Sequence, residues 1–282
     1  MGGTYLTFDP AHLLVDFSTF FVSTGLCVLF GHSLGMHRLF IHRSFKCSRS
    51  LEYFLVHLGT LMGIAGPLGM MKAHDMRDWA QRQLPEECHP YYSQQEILPR
   101  DSHWQMCCDF QLAHPPLWNP PEDLPSIYYT MEKYWILQQV PWMILLGVLG
   151  GPSAVVWGSF NRLLAGMYGH FLTGWFAHNV GFWGWKNHDV KGVAIQGVNV
   201  GISVRGRDQL GRISRGKVLA ILTAGESYHN NHHAFPRSAN LAVEEGEWDL
   251  GYRVLKVMES IGLVWEIQTW DQQKTDHLIQ LK

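Results

Sequence analysis

Gly225-Glu226-Ser227-Tyr228-His229-Asn230-Asn231-His232-His233 places three imidazoles at i, i+3 and i+4. On a helix these positions share one face within about one turn. Imidazole is the commonest side-chain metal ligand, and packing seldom demands three together. The stretch therefore reads as part of a metal site, with solvated surface histidines as the competing reading. Glu226, one turn before His229, is positioned either to accept a ligand N–H and set its tautomer or to be a solvated helix-start carboxylate.

Other imidazoles accompany it. His37 and His42 are five residues apart in His37-Arg38-Leu39-Phe40-Ile41-His42. That is about 500° around an α-helix, so the pair does not share a face well. The two could serve neighbouring metals, or one could lie past a helix end; the alternative is an interfacial basic cluster with Arg38 and Arg43. His178 closes a long apolar segment, with His170 two turns earlier. Two turns are about 11 Å, too far for one metal to hold both. An ionisable group in such a segment is a functional candidate. His178 is preferred, and His170 and His57 read as hydrogen-bonded interior residues. His74 and Asp78, at i and i+4, form an imidazole–carboxylate pair suited to iron. An Asp78–Arg82 pair on the same helix competes with that role. His89, His103 and His114 are isolated and read as surface or capping groups.

Composition points to a membrane. Charged residues make up only 16% of the 282, against roughly 25% in an ordinary soluble domain. The 12 Trp suit aromatic anchors at a bilayer interface. Mean hydropathy is nonetheless close to zero, so much of the chain meets water. A net charge of −2 gives no argument for nucleic acid. The five Cys show no CxxC spacing, which favours reducing surroundings over a disulfide framework.

The segments fall into an all-α plan with one domain over 1–282: an integral membrane helical stem and a cytosolic helical cap. A first span over about 13–35 carries Gly31 and Gly35, which would permit close helix contact. Arg38, Arg43, Lys46 and Arg49 follow and assign this end to the cytoplasm. Residues 53–71 are apolar but broken by glycines and Pro67; their length allows a span, and the breaks equally fit an interfacial or re-entrant helix, which is what the resemblance described below implies. Spans over about 135–150 and 154–180 form a hairpin around Gly150-Gly151-Pro152-Ser153, with Arg162 near the far interface. The cap comprises about 72–133 and 186–282. Its basic patch, Arg205, Arg207, Arg212, Arg215 and Lys217, suits either substrate phosphates or anionic lipid.

Three boxes in this order resemble the membrane fatty acid desaturase family, in its acyl-CoA-desaturase-like branch. They are His37-Arg38-Leu39-Phe40-Ile41-His42-Arg43-Ser44, the hairpin ending at His178, and Gly225-Glu226 leading into His229-Asn230-Asn231-His232-His233-Ala234-Phe235-Pro236. Trp248-Asp249 and Gly262-Leu263 also fit, so the resemblance runs from about Gly31 to Trp265. It implies a histidine-rich diiron site in the cap, ligated by His37, His42, His74, His178, His229, His232 and His233. Two iron ions and molecular oxygen would insert a cis double bond, delta-9-like, into a fatty acyl chain on CoA, lipid or acyl carrier protein. Electrons would come from an external donor such as ferredoxin or cytochrome b5 with its reductase. The implied location is a multi-pass membrane protein with its metals on the cytoplasmic face, as in a bacterial inner membrane.

Three departures qualify the match. The family's second box reads H-x-x-H-H, whereas this chain has His74-x-x-Arg77-Asp78, and Arg77 cannot ligate. Asp78 is the candidate replacement for a lost imidazole, and a bacterial subset resembling this chain shares the altered box. The Asn that the family carries four residues before the hairpin His is Gly174 here. Only one span precedes the first box, where the family usually has two. A hydroxylase on the same scaffold, or a non-catalytic relative with a degenerate second metal site, are the alternatives.

Overall fold

The computed structural model describes residues 10–84, 117–190, 192, 194–200 and 215–281. Arg205, Arg207, Arg212, His89, His103 and His114 lie outside the described residues, as do the side chains of Arg215 and Lys217. The molecule is mostly helical. Among the described residues, sheet is confined to two short antiparallel pairs: β1 (Lys46–Cys47) with β3 (Val264–Trp265), and β2 (Trp185–Asn187) with β4 (Leu278–Gln280).

Helix α1 (Pro10–Leu26) runs directly into a π-helical segment, Cys27–Ile41. Together, Leu13–Ile41 are long and apolar enough to cross a membrane. The π-helical part packs backbone to backbone on α2 (Arg49–Thr60). A β-carbon on Gly31 would collide with Leu58 and Gly59, and one on Gly35 would collide with Leu55. The expected close-contact role of both glycines follows from that approach.

The expected helix over 53–71 is instead the end of α2, a break, and the start of α3 (Pro67–Gln81). Gly63 at φ 78° supplies the turn, and Pro67 follows an extended Gly66 as the first residue of α3. After α4 (Ser126–Lys133) comes α5 (Gln139–Val155), which breaks at Gly151 (φ 69°, ψ −167°) before Pro152. The π-helical Val156–Asn161 and α6 (Arg162–Asn179) return along it. A β-carbon on Gly158 would meet both Leu146 and Thr19, so the hairpin closes on itself and on α1.

Apolar side chains on these helices point outward: Leu14 is 70% exposed, Val148 79% and Leu149 75%. Core helices of a water-soluble domain would bury such residues. Arg162 is buried within the protein. It is enclosed, with Nη2 donating to Gln139 Oε1 at 2.6 Å, Nε to the Gly158 carbonyl at 2.9 Å, and Nη1 to the Leu61 carbonyl. An isolated guanidinium there would be costly, and these acceptors offset its desolvation.

The remaining helices, α7 (Arg215–Leu222), α8 (His229–Ala234) and α9 (Leu250–Ser260), close the structure over the π-helical segment. Leu34, Leu39, Phe45, Leu55, Leu255 and Met258 share one core there. Arg38, 1% exposed, ties the parts together. It donates to the Ala239 and Ala224 carbonyls at 2.7 Å and pairs with Asp249 at 3.1 Å. Asp249 also caps α9, accepting from Tyr252 N.

Candidate metal centre

The imidazoles converge in two groups. His37, His42, His74 and His232 form one; His178, His229 and His233 form the other. Within each group the candidate ligand atoms lie within 4.8 Å of one another. Nε2 of His42 and His74 are 3.1 Å apart, those of His178 and His229 3.0 Å, and those of His229 and His233 2.9 Å. Two nitrogens about 2.1 Å from one ion and at right angles would be about 3.0 Å apart, so this spacing fits metal ligation.

The local backbone explains the grouping. His42 N–H donates to the His37 carbonyl at 3.0 Å, an i+5 bond. This π-type winding stacks residues five apart, which an α-helix does not. The His37 and His42 rings are therefore 4.8 Å apart on one side, against the expectation from α-helical geometry. On α8 the three imidazoles face one way, yet they divide. His229 and His233 turn toward His178, with ring centroids 4.6 and 5.5 Å from it. His232 turns toward His37 and His42, at 4.4 and 4.6 Å.

Asn230 and Asn231 occupy the opposite face of α8. Asn230 Oδ1 accepts from Gly184 N and Trp185 N, and its Nδ2 donates to the Trp185 and Gln196 carbonyls. Asn231 donates to the Leu241 carbonyl and Glu247 and accepts from Asn199. These two residues clamp the histidine helix in place. Sequence reading assigned them no role, although their position between ligand candidates was the available signal.

Supporting carboxylates differ between the groups. Glu226 Oε2 lies 2.7 Å from Nδ1 of His37, one of the candidate ligands. Ser33 Oγ donates to Glu226 Oε1 at 2.6 Å. A carboxylate at Nδ1 favours the tautomer that leaves Nε2 free to ligate. Burial pushes the Glu226 carboxyl up, and Arg38 and the Ser33 hydroxyl oppose that shift. Asp75, beside His74 Nδ1 at 3.3 Å and accepting from Trp118 Nε1 at 2.7 Å, plays the corresponding part for His74.

Burial first, and neighbouring imidazoles second, hold His42, His229, His232 and His233 well below the ordinary imidazole value. They are neutral at physiological pH, the form that binds metals. His74 is the exception: burial lowers it, but the bond to Asp75 and the charges of Asp78 and Asp75 raise it overall.

Asp78, expected to replace a lost imidazole, joins neither group. Its electrostatic partners are His74 and Arg82, one turn away on either side, and burial raises its carboxyl. Arg77 reaches elsewhere: its Nη1 is 2.8 Å from His170 Nε2. His170 in turn sits against His32, and His57 bonds to Gln138 and Trp142, so both are interior partners as expected.

The geometry defines a helical protein with two imidazole-rich sites, each able to hold a metal ion, beside helices apolar enough to cross a membrane. No family model matches the chain. It is 29% identical to the sn-1 stearoyl-lipid 9-desaturase of Anabaena variabilis, covering 86% of this chain and 80% of that protein. It is 25% identical to the acyl-CoA 5-desaturase AL21 of Anemone leveillei, over 95% and 77%. The hex-5-enoyl-[acyl-carrier protein] acetylenase of Moorena producens is 25% identical, over 85% and 73%. These relatives act on fatty acyl chains, and the chain is similar to them over most of its length.

Proposed function

We propose that the protein desaturates a fatty acyl chain, using molecular oxygen at a two-iron centre held by His37, His42, His74 and His232 on one side and His178, His229 and His233 on the other. The convergence of these nitrogens in two adjoining groups carries the reading. A saturated methylene has no acidic proton and no leaving group, so no side-chain acid or base can cleave its C–H bond. Bound iron supplies that oxygen-dependent chemistry. The chain's own residues hold and orient. Glu226 and Asp75 turn their histidines so that Nε2 faces inward. The clamp at Asn230 and Asn231 keeps both groups in register. His37 and His232, 8% and 3% exposed, contribute to excluding water.

Leu13–Ile41 and the hairpin Gln139–Asn179 are proposed to anchor the protein in a bilayer, supported by their outward apolar faces. The relatives act on lipid-, CoA- and carrier-protein-linked chains, so the carrier is left to experiment. The test is expression in a host lacking its own desaturase, followed by fatty-acid profiling and metal analysis of the purified protein. A new monoenoic acid and about two irons per chain support the proposal. A hydroxylated product moves it to the hydroxylase reading; no product with one iron or none rejects it.

A further inference from the structure

The three-histidine group has a fourth polar neighbour that no motif marks. Gln81, in the last turn of α3, is 3% exposed, and its Nε2 lies 2.9 Å from His178 Nε2. That distance equals the ligand-to-ligand spacing between His229 and His233. The other amide atom, Oε1, is fully buried and has no hydrogen-bond partner among the described residues. A buried acceptor without a partner is costly and calls for an explanation.

We infer that Gln81 is the fourth protein ligand of the three-histidine site, through Oε1. The inference rests on the two-metal reading above. Once an ion takes the His178 Nε2 lone pair, the Gln81 N–H loses its acceptor. A half-turn about the Cγ–Cδ bond exchanges the two amide atoms and carries Oε1 to the same place. A carbonyl oxygen is a competent ligand for a divalent cation, and this one has no competing donor. Helix geometry agrees. His74 and Gln81 are seven residues apart, so they project from one face about 10.5 Å apart along the axis. One helix then serves both groups, His74 the first and Gln81 the second. Asp78 lies between them on that face and joins neither group.

The experiment uses the full chain, purified in detergent, stripped of metal and titrated anaerobically with Co(II). Metal per chain and the visible Co(II) bands are the readouts. Wild type should bind two equivalents. Gln81→Leu should keep one at wild-type affinity and weaken the other by about tenfold or more. Gln81→Glu, with an oxygen donor of equal reach, should retain both and shift the bands of the second. Two wild-type affinities and unchanged bands in Gln81→Leu would overturn the inference while leaving the two-metal reading intact. If the Leu variant does not fold, Gln81→Glu decides: shifted bands support the ligand role and unchanged bands reject it. Fewer than two equivalents in wild type would overturn both.

Discussion

The two imidazole groups are built to different standards. The first draws on the π-helical segment, α3 and α8, has four histidines, and has a carboxylate beside His37 and another beside His74. The second draws on α6 and α8, has three histidines, and has an amide, Gln81, where a further donor would stand. The residues that α3 presents account for the asymmetry. His74 survives and completes the first group. Positions 77 and 78 hold a cation that reaches His170 and a carboxylate that stands apart.

The largest expected effect comes from removing the residue that closes the complete group. His232→Ala should abolish desaturation and lower metal affinity at the first group by at least about a hundredfold, beyond what loss of a supporting residue costs. Metal analysis should find the second group still able to bind. If both metals disappear with the fold intact, the groups are one cooperative unit and the contrast fails.

Arg38→Met tests the scaffold beneath both groups. It leaves Asp249 and two buried carbonyls without their guanidinium, so a destabilisation of about 3–5 kcal/mol is expected. Chemical denaturation would measure it. Glu226→Gln should cost less, about 10–100-fold in affinity at the first group alone, because it supports His37 without binding metal. Equal weakening of both sites would show that the carboxylate acts on both groups together.

Proton affinity gives a subtler test. In the metal-free fold, His42, His229, His232 and His233 have pKa values depressed below the unfolded value of about 6.5. The unfolded chain then binds more protons, so stability is present above about pH 6.5 and is lost as pH falls below it. His74 is raised and works in the opposite direction around that value. Melting of chelator-treated protein at pH 7.5 and 5.5 should therefore show acid destabilisation. Adding His229→Gln, which removes one of the depressed imidazoles, should reduce that pH dependence.

Much of this was legible in the chain. His229, His232 and His233 declared themselves by spacing, and Gly151 marked where the apolar hairpin turns. The pairing of His37 with His42 was not legible, because α-helical periodicity misplaces residues in a π-helical segment. Nor was the division of α8 between two groups, since one face at i, i+3 and i+4 looks like one site. Gln81 gave no signal at all: a glutamine in the last turn of a helix of mixed polarity resembles any other, and only its burial against His178 distinguishes it.

The smallest effect is the most pointed. Sequence spacing made Asp78 the natural substitute for a lost imidazole, since it shares a face of α3 with His74. In the fold its carboxylate stands with His74 and Arg82 as electrostatic partners and belongs to neither group. Asp78→Asn preserves shape and removes a charge that helps to raise His74. Both Co(II) equivalents should remain, with affinities within about threefold of wild type. That is the scale of one partly screened charge and well short of the cost of a lost ligand. Loss of an entire equivalent would return Asp78 to the ligand set. It would also mean that metal binding draws the carboxylate across α3, and the contrast between a complete group and a thinned one would then describe only the metal-free fold.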